Sequence, residues 1–164
     1  MGDKICRIMS YDFAWFFQIV IIQCVAIKIL EQGEKLQYIG KIDQTKFKLI
    51  SKNITTRDVV LTERQIEHIK ERHPNDFELY FKYIKDIIKD PDYIIRDAKP
   101  NTGFLLKEFI EESKHFQLII RLHTVEDNND YKNSIITFLK VNKKKYNQYL
   151  RNKEIVWRKI DKSE

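Results

Sequence analysis

A chain of 164 residues with 43% apolar and 33% charged residues, 4 glycines and 3 prolines suits one folded domain with a short appendage and is not low-complexity, collagen-like or compositionally disordered. Cys6 and Cys24 leave everything after residue 24 without a thiol, which excludes a disulfide framework and a cysteine-ligated zinc site and makes the reducing cytoplasm the expected location. Thirty Lys and Arg against 24 Asp and Glu give a net charge of +6, which suits a polyanionic partner without separating RNA, DNA and anionic lipid.

Residues 13–30 form an 18-residue apolar stretch interrupted only by Gln18, Gln23 and Lys28, about the minimum length for crossing a bilayer. Lys4 and Arg7 precede it as in a signal or anchor, yet no small-x-small cleavage site follows. A membrane anchor, a helix docked on a partner and an extension from a misplaced start codon all remain open, so residues 1–37 are set apart from a domain spanning 38–164.

Thr62 and Gln65 have the spacing of a capping box, which predicts a helix from Thr62 to His73, ended by Pro74. Phe77, Phe81, Ile84 and Ile88 then recur at the helical period until Asp90-Pro91. Beyond Pro91 the pattern predicts strands at Tyr93–Arg96, Gly103–Ile110, Phe116–Thr124 and Ser134–Val141. Their connections are too short for crossover helices, so consecutive strands are expected to pair antiparallel. A short helix over Lys143–Asn152 and an extended piece over Glu154–Ile160 follow. The expected fold is α+β, two N-terminal helices packed on a four-stranded antiparallel sheet.

The first helix carries Glu67, His68, Glu71, Arg72 and His73 within seven residues. His68 and His73 are five apart, without the His-Glu-x-x-His arrangement of a metal site, and taken alone these residues are better explained by a polar surface helix with one buried histidine. In the third strand Leu118, Ile120 and Leu122 are expected to face the core, with Arg121 and His123 on the other face. Arg121, held mid-sheet, can present a rigid guanidinium to a phosphate. Thr137 and Lys140 fall on opposite faces of the fourth strand, and Lys107 lies mid-strand in the second. No nucleophile elbow, glycine-rich phosphate loop or clustered carboxylates are legible, which leaves cleavage of RNA by its own 2′-hydroxyl, a reaction needing a base, an acid and cations but no cofactor or metal.

The segment Ile-Glu-His-Ile-Lys-Glu-Arg-His-Pro at 66–74, Asn101-Thr102-Gly103 through Lys107, Arg121 in its strand and Asn133-Ser134-Ile135-Ile136-Thr137-Phe138 together resemble the phage-associated nuclease-like domains of the barnase, EndoU, colicin and RelE group. The resemblance implies a metal-independent endoribonuclease, toxin-like or phage-associated, that leaves a 2′,3′-cyclic phosphate. It implies His68 and His73 as acid and base, with Glu71 a substitute base, and Arg121 and Thr137 at the phosphate. Arg72, Lys107, Ser134 and Lys140 complete the expected substrate-binding set. RNA is the expected partner, with an antitoxin or immunity protein alongside. The alternative is a catalytically silent polyanion- or protein-binding module, tethered to a membrane through residues 13–30.

Overall fold

The protein, seen in a computed structural model, is described here over residues 35–160. The apolar stretch at 13–30 lies outside the described residues, and no helix among those described is long and apolar enough to cross a membrane. In chain order the elements are β1 (Leu36–Lys41), α1 (Gln44–Phe47), β2 (Asp58–Thr62), α2 (Glu63–Arg72), α3 (Asp76–Lys89), β3 (Tyr93–Arg96), β4 (Thr102–Phe109), β5 (Lys114–Arg121), β6 (Asn133–Val141), α4 (Lys143–Asn152) and β7 (Ile155–Arg158). The start of α2 is set by its capping box: the Thr62 hydroxyl accepts from the Gln65 N–H at 3.2 Å and the Gln65 side chain accepts from the Thr62 N–H at 3.0 Å. Two orphan donors of the first turn are thereby satisfied.

The strands form one sheet in the order β1-β2-β6-β5-β4-β3-β7. Strands β3 to β6 run as an antiparallel meander, while β2 pairs with β6 in parallel. One face of the sheet carries the larger core: Leu118, Ile120, Ile135 and Phe138, all fully buried, meet Ile69 of α2 and Ile84, Ile87 and Ile88 of α3. The other face carries a smaller cluster in which Phe104, Leu106 and Val141 pack with Tyr146 of α4, while the Tyr149 ring meets Phe104 edge-on at 4.8 Å.

This seven-stranded mixed sheet with four helices corrects the expected two helices on a four-stranded antiparallel sheet; the α+β class itself stands. The omitted strands are those whose signals are weakest locally. β2 is 5 residues long and runs straight into the cap of α2, so its Val-Val-Leu run reads as a lead-in to the helix. Its parallel partner lies about 75 residues downstream, a separation at which no turn motif announces pairing. What joins them is the Asn133 side chain, whose Nδ2 donates to the carbonyls of Thr56 at 2.8 Å and Asp58 at 2.9 Å. β7 falls within the extended piece expected over Glu154–Ile160, and what the sequence did not show is its pairing with β3.

β1 begins at Leu36, and the carbonyl of its neighbour Lys35 accepts the Glu63 N–H at 3.2 Å. A chain trimmed to residues 34–164 is expected to melt in a single cooperative transition. A molten or insoluble product would show that the apolar segment completes the core.

Candidate nucleic-acid site

The register of β5 against β6 decides which side chains meet. Ile120 pairs with Ile135 and Leu118 with Phe138, all four on the helix-bearing face. Between them the register slips by one residue, so that Ile119 pairs with Thr137 and Arg121 with Ser134. Ile136 is the inserted residue of a β-bulge, which re-aims everything beyond it. Simple alternation puts Ser134 and Thr137 on opposite faces; the bulge puts both on the face of Arg121, opposite α2 and α3. Ser134 and Thr137 are half-buried, and neither hydroxyl makes a hydrogen bond among the described residues. Two hydroxyls and a guanidinium therefore share a patch of sheet.

Arg121 is held rather than loose. Its side chain is 36% exposed, Nη2 donates to Asp127 Oδ1 at 2.9 Å, and Nη1 donates to the Leu122 carbonyl. The other Asp127 oxygen accepts from the Thr124 N–H at 2.8 Å and the Thr124 hydroxyl at 3.0 Å. The Thr124 amide first, then, against the opposing cost of burial, the Thr124 hydroxyl and the charge of Arg121, hold the Asp127 carboxyl below the usual carboxylate range. A guanidinium has five N–H donors, so donors remain for a ligand.

Just beyond β5, His123 departs from the sequence reading. It lies outside the apolar core, as expected of the face of Arg121, yet it is buried at 5% exposure. Regular pairing of β5 stops at Arg121, and the 53–55 segment crosses over the chain, with the Thr55 N–H donating to the His123 carbonyl at 3.1 Å and Ile54 bridging Thr124. The His123 N–H donates to Asn133 Oδ1 at 2.8 Å, its Nε2 lies 2.8 Å from the Asn128 carbonyl, and its Nδ1 meets the Thr55 hydroxyl. His123, Asn133 and Asp127 were not singled out from the sequence as site residues. The available signal was an asparagine opening a strand and an acid in the preceding loop, a pattern that reads first as a solvated turn.

The other residues expected at the site lie elsewhere. His68 and Arg72 are exposed on α2, and His73 caps its C-terminal end, half-buried. Ile66 and Ile69 seat that helix on the core face, so the sheet separates it from Arg121, Ser134 and Thr137. Glu71 is exposed on the same helix. Lys140 pairs with Phe116 and stands 5.5 Å over the Tyr80 ring, also on the helix side. Lys107 reaches the Asp90 carbonyl and lies 3.5 Å from the Asp90 carboxylate and 3.7 Å from that of Asp92. It borders an open hollow of about 550 Å³ with Asp86, Lys89, Asp90 and Phe109, and its charge is already matched there. On the face of Arg121, by contrast, α4 brings the exposed Lys143, Lys144, Lys145 and Arg151. Among the described residues no three His, Cys, Asp or Glu side chains are grouped so as to hold a metal ion.

Residues 34–158 match the model of the phage-Barnase-EndoU-ColicinE5/D-RelE like nuclease 2 family. The chain belongs to this family. No curated protein and no solved structure matches it significantly. The matched span runs from the residue before Lys35 to the end of β7 and so takes in every element of the sheet. A phage-associated nuclease of this kind must hold a phosphodiester. Among the described residues, the patch around Arg121 sets two hydroxyls that make no hydrogen bond on one face of the sheet with a partly exposed cation.

Proposed function

We propose that this nuclease is an endoribonuclease acting without a metal ion, and that Arg121, Ser134 and Thr137 hold the scissile phosphate. The observation that carries this reading is the bulge at Ile136, which sets the unpartnered hydroxyls of Ser134, directly across from Arg121, and of Thr137, across from Ile119, on the face of Arg121 opposite α2 and α3. In the reaction the 2′ oxygen attacks the adjacent phosphorus, the O2′–P bond forms and the P–O5′ bond breaks, leaving a 2′,3′-cyclic phosphate and a 5′-hydroxyl. Charge builds on the non-bridging oxygens as the phosphorane forms. Donors fixed in advance by a sheet and an ion pair stabilise that charge without reorganising. The lysines of α4 add the sequence-independent attraction for a polyanion. We place the activity in a reducing, cytoplasmic setting, in a toxin-like role restrained by an antitoxin or immunity protein, as the family resemblance suggests.

Incubating the full chain with single-stranded RNA and with DNA of the same sequence, EDTA present, tests the reading. RNA is expected to be cut to cyclic-phosphate ends and DNA left intact. Retention of both nucleic acids without cutting would instead favour a silent polyanion-binding module, and equal cutting of DNA would reject 2′-hydroxyl attack.

A further inference from the structure

The cleavage just described needs a group to take the 2′ proton, and α2 with its two histidines lies on the far side of the sheet from Arg121. We propose that Thr55 and His123 are that group, Thr55 as the residue that meets the 2′-hydroxyl and His123 as the imidazole that receives the proton through it; this rests on the endoribonuclease reading. Four observations converge. His123 is buried, so substrate cannot reach its ring directly, whereas Thr55 is exposed. The Nε2 atom of His123 faces the carbonyl of Asn128 at 2.8 Å, and a carbonyl can only accept, so the ring proton belongs on Nε2 and Nδ1 is left as the acceptor. Nδ1 meets the Thr55 hydroxyl, which then donates inward and turns its lone pairs outward to an incoming donor. Finally, the pair is tied to the phosphate patch: the His123 N–H is held by Asn133, the residue before Ser134, and Asp127 joins Arg121 to Thr124, the residue after His123.

The proton path balances. As O2′ attacks phosphorus, its proton passes to Thr55 Oγ1 while the Thr55 proton passes to Nδ1. The imidazolium so formed keeps its Nε2–H on Asn128 and has the Asp127 carboxylate near it. The 5′ oxygen leaves with a proton from solvent, and His123 returns one to solvent. No co-reactant is required.

Thr55→Val removes the hydroxyl at nearly constant shape, and Thr55→Ser retains it. With the full chain and a single-stranded RNA, Thr55→Val is expected to lower kcat by about 10²- to 10⁴-fold, the usual effect of losing a general base, with KM little changed and the melting temperature lowered by a few degrees because the buried Nδ1 loses its partner. Thr55→Ser should return kcat to within about tenfold of wild type, since it keeps the donor and acceptor that the relay needs. Nitrogen NMR of His123 supplies a readout apart from activity: the uncharged ring should carry its proton on Nε2, and its Nδ1 resonance should move in Thr55→Val and return in Thr55→Ser. A wild-type protein that cuts RNA while Thr55→Val cuts equally fast, a loss that serine does not restore, or an Nδ1–H ring would overturn this assignment alone. A wild-type protein that cuts no RNA would overturn the endoribonuclease reading and this pair with it.

Discussion

Arg121→Ala is expected to lower RNA cleavage by about 10²- to 10³-fold, the typical loss when one fixed donor to a developing oxyanion is removed. The effect should fall on kcat more than on KM, because the charge that Arg121 meets is greatest in the phosphorane. Arg121→Lys should recover little, since an ammonium cannot keep the Asp127 and Leu122 contacts and also present a planar fork to phosphate. By the same geometry His68→Ala and His73→Ala, on the helix-bearing side of the sheet, should each change the rate by less than about tenfold, well short of the loss of a general acid or base. Single-turnover cleavage of a labelled RNA oligonucleotide measures all four variants. A histidine variant as slow as Arg121→Ala would return the acid and base roles to α2.

Asn133→Ala is expected to be the most damaging polar substitution. The side chain is fully buried and makes three hydrogen bonds, one from the His123 N–H and two to the carbonyls of Thr56 and Asp58. Its removal strands the buried His123 amide at about 1–3 kcal/mol and two part-buried carbonyls at less, so a loss of roughly 3 kcal/mol is expected, a drop of roughly 10 °C in Tm for a domain of this size. Asn133→Asp keeps the acceptor for His123 but loses both donors and sets a charge against two carbonyls, so it should fare no better. Thermal denaturation followed by circular dichroism checks both. Near-wild-type stability would mean that β2 and β6 do not depend on this junction.

Local signals made part of this fold legible. The capping box at Thr62 and Gln65, the helical recurrence from Phe77 to Ile88 and the strand alternation after Pro91 each involve residues close in sequence, and each corresponds to an element seen in the structure. What was not legible is what distance in sequence hides. The parallel pairing of β2 with β6, at which Asn133 bonds back to Thr56 and Asp58, joins residues about 75 apart, and β7 finds its partner in β3, about 60 residues before it. The site shows the same division. Arg121 stood out because a cation inside the apolar run read as the third strand is unusual, although the structure makes it the last residue of β5 rather than a mid-strand one, whereas the bulge at Ile136 that unites Ser134 with Thr137 leaves no mark in a run of Ile, Ile and Thr. The histidines of α2 drew attention by their density, yet a helix seated by Ile66 and Ile69 presents His68 to solvent on the opposite side of the sheet. His123, the histidine tied to the loop of Arg121, reads from alternation only as a residue off the core face, and the crossing 53–55 segment that buries it is remote in sequence.

Arg121, Ser134, Thr137, Thr55 and His123 have their proposed roles only if the substrate's own 2′-hydroxyl performs the cleavage. A single-stranded RNA in which each 2′-hydroxyl in turn is replaced by hydrogen, incubated with the full chain in EDTA and resolved by length, tests it most directly. Each replacement is expected to abolish the cut immediately 3′ of the altered nucleotide and leave the other cuts in place, with 2′,3′-cyclic phosphate on every product. Cleavage that persists 3′ of a deoxynucleotide, or products ending in a linear phosphate from the first turnover, would contradict it.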